Sequence, residues 1–410
     1  MAHPLDRASP AAMPRRIGIA GAGLLGRLLA WRLAGLGHAV TVFDPAPDAE
    51  ARGAAGWTAA GMLSPWAELE CSNADLAELG LRSIALWRRI VPQLPGEVEL
   101  RCDGSLLLAH RSDLGSAQRL VGLLEARGPA ALRSRLRRLE LGELQLLEPA
   151  VHGPTHAWLL DGEAQIHSVQ AMRALADGAT QRGTRWRWGS AVAHVAPGRL
   201  DDERFDLVFD VRGVGARPSI TPSGEDHGFT PPIRGESHGF TPEIRGDDLG
   251  FTPRLRGDDL GFTPRLRGVR GEILWLHAPG VVLNRPLRLL HPRWRVYLVP
   301  RAGELIVVGA SEIESEDRSP ISVRTMLGLL AAAHSVIPEL AEARIVHSET
   351  NLRPALPDNL PRVEQLDGLV RINGLFRHGW LIAPALVEDA LGGLGVAVDE
   401  AGRNRELSST

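Results

Sequence analysis

No lysine occurs anywhere in this chain; all 46 basic side chains are arginine. That absence excludes three chemistries. A pyridoxal-phosphate enzyme needs a Schiff-base lysine, a P-loop needs its phosphate-binding lysine, and a lysine-paired serine hydrolase needs its base. Cysteine is nearly as scarce. Only Cys71 and Cys102 are present, in neither a CxxC nor a CxxH pair, which excludes a disulfide framework and fits a reducing, cytoplasmic setting. Long apolar runs of the kind that span a bilayer are absent, so no membrane segment is expected. The 14 histidines form no HExxH or clustered carboxylate pattern, and no metal site is expected. Neither sign of charge dominates. With 49 acidic side chains the net charge is −3, which gives no nucleic-acid footprint and points to a small-molecule partner.

What is present begins late. The opening MAHPLDRASPAAMPRR has no apolar targeting core, and Met13 stands just before the first structured signal, so residues 1–13 read as a disordered extension. Arg15 and Arg16 mimic an export twin-arginine, but the run behind them holds three glycines at phosphate-loop spacing and no cleavage site. With 410 residues and 44% apolar content, two domains are the natural expectation. Residues 15–20 read as a buried strand, 24–36 as a helix ended by Gly37, and 39–43 as a second strand, a β-α-β unit. Residues 74–91 and the leucine- and arginine-rich stretch 116–148 carry helical spacing, while 105–109 reads as a strand of a different layer. Residues 293–311 alternate around an Ala-Gly turn, an antiparallel hairpin pattern. The resulting fold class is α/β, a doubly wound domain joined to a smaller α+β domain with an antiparallel or mixed sheet.

From Gly224 to Arg267 the text repeats with a period of 11 residues, each unit holding Gly-Phe-Thr-Pro. Such units cannot be continuous helix and bury little, so residues 218–267 read as a disordered insertion produced by tandem duplication. The alternative is a binding array with Phe229, Phe240, Phe251 and Phe262 as evenly spaced anchors.

The chemistry starts at GAGLLG, with Gly21, Ala22, Gly23, Leu24, Leu25 and Gly26 between a strand and a helix, and Asp44 ending the next strand 18 residues after Gly26. Gly21 permits the tight turn, Gly23 lets backbone approach a pyrophosphate, Gly26 lets helix and strand pack, and the helix terminus offers free N–H groups. Asp44 would accept from an adenosine ribose and repel a 2′-phosphate, leaving FAD or NAD. The small-residue loop GWTAAGMLSPWAE (56–68) and a second glycine-punctuated loop, NGLFRHGWLIAPAL (373–386), suggest one cofactor reached from both ends of the chain.

Taken together, GAGLLG with Asp44, AAGML (59–63), RGVRGE (267–272), RVYLVPR (295–301), VVGAS (307–311), LRPALPD (352–358) and GLFRHGWLIAP (374–384) resemble the D-amino acid oxidase family of flavoproteins. The resemblance covers residue 15 to about 395 outside the repeats and is strongest to the branch that oxidises glycine for the thiazole of thiamine. It implies non-covalent FAD. The late cysteine and early histidine of covalently flavinylated relatives are lacking; the last cysteine here is Cys102 and the matching early region holds Trp57. It implies a discontinuous FAD domain (14–92, 162–217, 346–400) and a substrate domain (93–161, 268–345). Besides the glycine-motif residues and Asp44, the implied cofactor residues are Ala59, Ala60, Gly61, Met62, Val192, Gly213, Gly374, Arg377, His378, Gly379 and Trp380.

Arg353 would hold the substrate carboxylate by a bidentate guanidinium contact. Tyr297, the only tyrosine, would add a hydroxyl contact, and Arg377 would stand beside the flavin edge. Glu312 is expected to face water rather than an amine. The implied reaction is hydride removal from the α-carbon of a small amino acid such as glycine, sarcosine or a small D-amino acid, with oxygen regenerating the cofactor and giving peroxide. The implied partners are that substrate and oxygen, with room for a homo-oligomer and for a partner in thiazole synthesis. Two alternatives stand beside it: a dehydrogenase with another electron acceptor, and a non-catalytic FAD scaffold whose repeats bind a partner.

Overall fold

The computed structural model describes residues 13–70, 74–129, 135–217, 265–290 and 295–394. The expectations for residues 1–12, for Cys71 and for nearly all of the repeat block lie outside the described residues.

The chain opens with β1 (Arg16–Ala20), α1 (Leu24–Gly35) and β2 (Ala39–Asp44), close to the boundaries that the apolar periodicity predicts. Ten of the twelve α1 residues are buried, because this helix packs against the helices Ser168–Gln181 and Gly379–Gly393 as well as the sheet. After β3 (Met62–Leu63) and the helix Ala74–Ile90 come β4 (Leu100–Arg101) and β5 (Ser105–Ala109). The stretch read as helical over 116–148 is only partly so. A helix runs over Leu114–Arg127 and another over Leu141–Leu147, but Leu136–Leu139 forms strand β6, paired antiparallel with β7 (His156–Leu160). Tertiary pairing overrides the local helical spacing there.

Next come β8 (Ala164–Ile166), the helix Ser168–Gln181, β9 (Arg185–Trp188), the short strands β10 (Val195–Ala196), β11 (Arg199–Leu200) and β12 (Glu203–Arg204), and β13 (Leu207–Asp210). Beyond the undescribed insertion stand β14 (Arg267–His277), β15 (Leu287–Leu290), β16 (Arg295–Arg301) and β17 (Leu305–Gly309). The chain then forms the helix Val323–Val336, β18 (Arg344–Ala355), β19 (Arg362–Leu366), β20 (Leu369–Asn373) and the helix Gly379–Gly393.

Two large sheets result. The first has the order β19-β20-β13-β1-β2-β9, parallel except for the antiparallel edge strand β19. The second, β18-β14-β17-β16-β15-β5-β7-β6, is antiparallel apart from the β15–β5 pair. The hairpin expected at 293–311 is β16–β17, turning through Ala302 and Gly303. Because β18 runs through residue 355 in the second sheet, the crossing back to the first falls after 355, not at 346. Residues of both sheets and of the helices around α1 share one apolar core, which fixes the face of the second sheet over the carboxyl ends of the parallel strands. Crevices at that edge are where open α/β sheets bind ligands.

Candidate active site

A cavity of about 1100 Å³ opens at this edge. One end is built by the glycine motif. Gly21 has φ +104°, and a Cβ there would lie 2.8 Å from the Val211 carbonyl oxygen, so only glycine permits the turn. Gly23 precedes α1 without any side-chain cap, leaving the first helical N–H groups to the cavity. Gly21, Ala22, Gly23, Leu24 and Leu25 line the space. Gly26 does not. A Cβ there would collide with the Gly21 carbonyl, so its part is helix-to-turn packing. The Asp44 carboxylate lines the cavity and fastens both adjacent loops, Oδ2 accepting from Ala22 N at 2.6 Å and Oδ1 from Ala46 N at 2.8 Å.

Arg27, which sequence reasoning passed over, is buried behind this loop. It donates to the carbonyls of Ala22 (2.8 Å), Met172 (2.9 Å) and Ala49 (2.7 Å), and its guanidinium lies 5.0 Å from the Trp57 ring centroid. Burial brings its pKa down to about 10 against the opposing pull of Asp44, so it stays charged at neutral pH.

The cavity is walled further by Ala59, Ala60, Gly61 and Met62 and by Val192 and Gly213. Arg301 explains why the first of these loops holds its shape. Its guanidinium donates to the carbonyl of Ala60, to Ile166 O at 3.1 Å and to Gln165 Oε1 at 2.8 Å. Asn351 secures the preceding segment, donating from Nδ2 to Ala54 O (3.1 Å) and Thr58 Oγ1 (3.2 Å). From the far loop, Arg377, Gly379 and Trp380 line the cavity, whereas Gly374 and His378 do not. Gly374 makes a left-handed turn packed on Leu356, and His378 is buried with Nδ1 2.6 Å from Glu68 Oε2.

Arg353 and Tyr297 meet at the other end. The Arg353 guanidinium crosses Gly271, where a Cβ would lie 2.5 Å from it, and the Tyr297 hydroxyl crosses Gly309, where a Cβ would lie 2.6 Å from it. Neither glycine was singled out in the sequence. Gly309 pairs directly with Tyr297, whereas Gly271 pairs with Asn351, two positions from Arg353, so both signals need the strand pairing to be known. Arg353 donates from Nη1 to Ser311 O (3.0 Å) and Arg270 O (3.3 Å), which leaves Nη2 and Nε without a protein partner among the described residues. The Tyr297 hydroxyl likewise has none, and burial pushes its pKa upward, so it remains a neutral donor. Burial lowers the Arg353 pKa, while Tyr297 and Glu312 oppose the shift.

Glu68 is a further residue that the sequence reading missed. It lines the cavity and contacts His378 and Arg377, the latter at 3.3 Å through Nε. Burial pushes its pKa up, but the charges of His378 and Arg377 outweigh that and hold it at about 2. Glu312, expected to face water, has a side chain 48% exposed and at the same time pairs with Arg377 at 3.6 Å on the cavity rim. Among the described residues no group of three or more side chains could hold a metal ion, and no helix is long and apolar enough to cross a membrane.

A glycine turn against an uncapped helix terminus, a carboxylate at the end of the second strand and a long cavity leading to a buried arginine and a phenol suit a dinucleotide whose reactive ring lies next to a small acid. The model of the family described as FAD dependent oxidoreductase (DAO) matches residues 16–244 and 247–389. The chain belongs to this family. As a DAO-family protein it is an FAD-dependent oxidoreductase. It is 34% identical over 372 residues, 90% of this chain and 94% of the relative, to a Rhizobium etli protein that carries the name thiamine biosynthesis oxidoreductase ThiO. Over a shorter stretch, 30% of this chain and 20% of the relative, it is 32% identical to a bifunctional ThiO/ThiG protein of Nostoc sp.. In fold it resembles the crystal structure of glycine oxidase from Geobacillus kaustophilus, with a TM-score of 0.72 and 22% identity over 93% of this chain and 95% of that one.

Proposed function

We propose that the chain oxidises glycine and small related amines such as sarcosine to the corresponding imines, in the manner of a glycine oxidase. The observation that carries this reading is the convergence of Arg353 and Tyr297 over two strand glycines at the end of the cavity. FAD, when bound, supplies a two-electron acceptor for the hydride leaving the substrate α-carbon and is regenerated by oxygen with release of peroxide. Everything else falls to the side chains.

Arg353 presents Nη2 and Nε to the substrate carboxylate, and Tyr297 adds an O–H donor beside them, so the acid end is fixed in both position and plane. Because Arg353 is itself held by two backbone carbonyls, little orientation is lost when substrate arrives. Arg377, held between Glu68 and Glu312, has its charge compensated at the rim and within the cavity. The buried walls exclude water from the reacting carbon. No general base is required of the protein, since glycine enters as the neutral amine. Gly21, Ala22, Gly23 and Asp44 would hold the adenosine and pyrophosphate, and the Ala59–Met62 loop with Val192, Gly213, Gly379 and Trp380 the remainder of the cofactor. The two cysteines fit a cytoplasmic setting, and the fused Nostoc relative supports a handover of the imine to thiazole synthesis.

The test is an anaerobic absorbance spectrum of the FAD-loaded protein before and after glycine, followed by air and a peroxide assay. Bleaching by glycine with recovery and peroxide in air is expected. Bleaching without recovery points to a dehydrogenase, and no bleaching by glycine, sarcosine or D-alanine overturns the reading.

A further inference from the structure

The diphosphate of FAD is an anion, and this chain has no lysine to meet it. The uncapped α1 terminus supplies a dipole worth about half an elementary positive charge. Among the side chains that line the cavity, only arginine can add to it. Arg212 is already paired with Asp210, Arg217 with Glu316, Arg288 with Glu70, and Arg377 with Glu68 and Glu312. Arg27 gives its donors to three backbone carbonyls behind the glycine turn, and Arg353 stands at the far end of the cavity with Tyr297. Arg318 is left. It is exposed, lines the cavity and pairs with no carboxylate among the described residues. Glu316 feels its charge but is itself held by both terminal nitrogens of Arg217, at 2.6 and 2.7 Å.

The position of Arg318 is fixed at both ends of the residue. Its backbone lies in the loop between β17 and the helix Val323–Val336. The buried Arg270 of β14 grips that loop on either side of it, donating to Asp317 O at 2.7 Å and to Pro320 O at 2.9 Å. Asp317 Oδ1 closes the bend by accepting from Ser319 N at 2.8 Å. At the other end, Arg318 Nη1 donates to Asn351 Oδ1 at 3.2 Å, and Nδ2 of the same amide donates to Ala54 O at 3.1 Å. Ala54 abuts the glycine motif, since a Cβ on Gly23 would lie 3.5 Å from that of Ala54. A single amide group thus separates the Arg318 guanidinium from the wall of the diphosphate site. Its Nε and Nη2 have no protein partner among the described residues.

We infer that Arg318 is a ligand of the cofactor diphosphate, reaching it from the side of the second sheet while Gly23 and the α1 terminus hold it from the first. A planar guanidinium suits two phosphate oxygens at once. Bound cofactor then ties the loop 312–322 to the glycine motif through its own charge. The inference rests on FAD as the cofactor and not on which amine is oxidised.

The experiment uses the full chain freed of FAD and titrated by calorimetry with FAD, ADP and riboflavin. ADP carries a diphosphate without the flavin, and riboflavin carries the flavin without phosphate. Arg318→Gln should weaken FAD and ADP by at least about tenfold, leave riboflavin unchanged and flatten the rise of the FAD Kd with salt. Arg318→Lys should restore part of the loss. In the unaltered chain ADP alone should slow hydrogen exchange in residues 312–322, and in Arg318→Gln it should not. Unchanged FAD and ADP affinity in Arg318→Gln, an equal loss of riboflavin, or a loop that ADP leaves unprotected in the unaltered chain overturns the inference. If Arg318→Gln does not fold, ADP protection of the unaltered chain and the FAD affinity of Arg318→Lys decide. None of these readouts needs an amine to be oxidised, so a chain inert toward glycine loses the functional reading and keeps this one, and the reverse holds as well.

Discussion

Arg353 and Tyr297 reach the same space because the positions that they cross carry no side chain. Placing a methyl group at Gly309 would put it 2.6 Å from the Tyr297 oxygen and 2.7 Å from the ring carbon that bears it, so the ring must shift. Gly309→Ala should therefore act through Tyr297, raising the KM for glycine about tenfold, the loss of one hydrogen bond to a charged group. The double variant with Tyr297→Phe should be no worse than Tyr297→Phe alone; additive losses would show that Gly309 acts elsewhere. Arg353→Ala removes the bidentate partner itself. Yellow, FAD-loaded protein should persist while KM for glycine rises at least about a hundredfold, and unchanged glycine kinetics would remove Arg353 from the carboxylate clamp. Of these residues, Arg353 and Tyr297 were visible in the sequence because short motifs surround them. The two glycines and Glu68 were not, since each matters through a neighbour hundreds of positions away or across a strand pair that local periodicity does not encode.

Among elements, the unit from β1 through α1 to β2 was legible almost to the residue because turn, cap and burial agree within a continuous stretch. Strand β6 was not, since its place depends on pairing with β7. The loop Ala59–Met62 sits between these extremes. Its sequence shows small residues, but its shape is held by a distant strand through the buried Arg301, whose pKa burial brings down to about 10. Arg301→Met would leave the carbonyls of Ala60 and Ile166 without that donor. We expect weaker FAD binding, by about tenfold or more, measured by recovery of flavin fluorescence on dilution, with substrate KM changed less. A variant that binds FAD as tightly as the unaltered chain would show that the loop holds itself.

At the scale of the whole molecule, two buried carboxylates pull the pH dependence of stability in opposite directions. Glu68, held at about 2 in the folded chain against an ordinary 4.5, favours folding above pH 4.5 and loses that contribution as pH falls toward 2. Glu148 does the reverse. It lies fully buried between the end of the helix Leu141–Leu147 and the segment leading into β15, accepting from Asn284 N at 2.8 Å, with Arg285 at 3.6 Å. Burial raises its pKa from 4.5 to about 7, against the opposing influence of the Asn284 N–H and Arg285. The folded chain thus keeps a proton that the unfolded chain releases. That contribution is complete below pH 4.5 and is lost as pH rises to about 7, at a cost of at most about 3 kcal/mol. Glutamine at this position keeps an acceptor for Asn284 and has no proton to lose. Glu148→Gln should match the parent chain near pH 5 and melt higher by on the order of 5 °C at pH 8, followed by calorimetry on FAD-saturated protein so that ligand linkage is constant. If parent and variant melt together at both pH values, the Glu148–Arg285 pair is neutralised within the fold, and the slope must come from other groups.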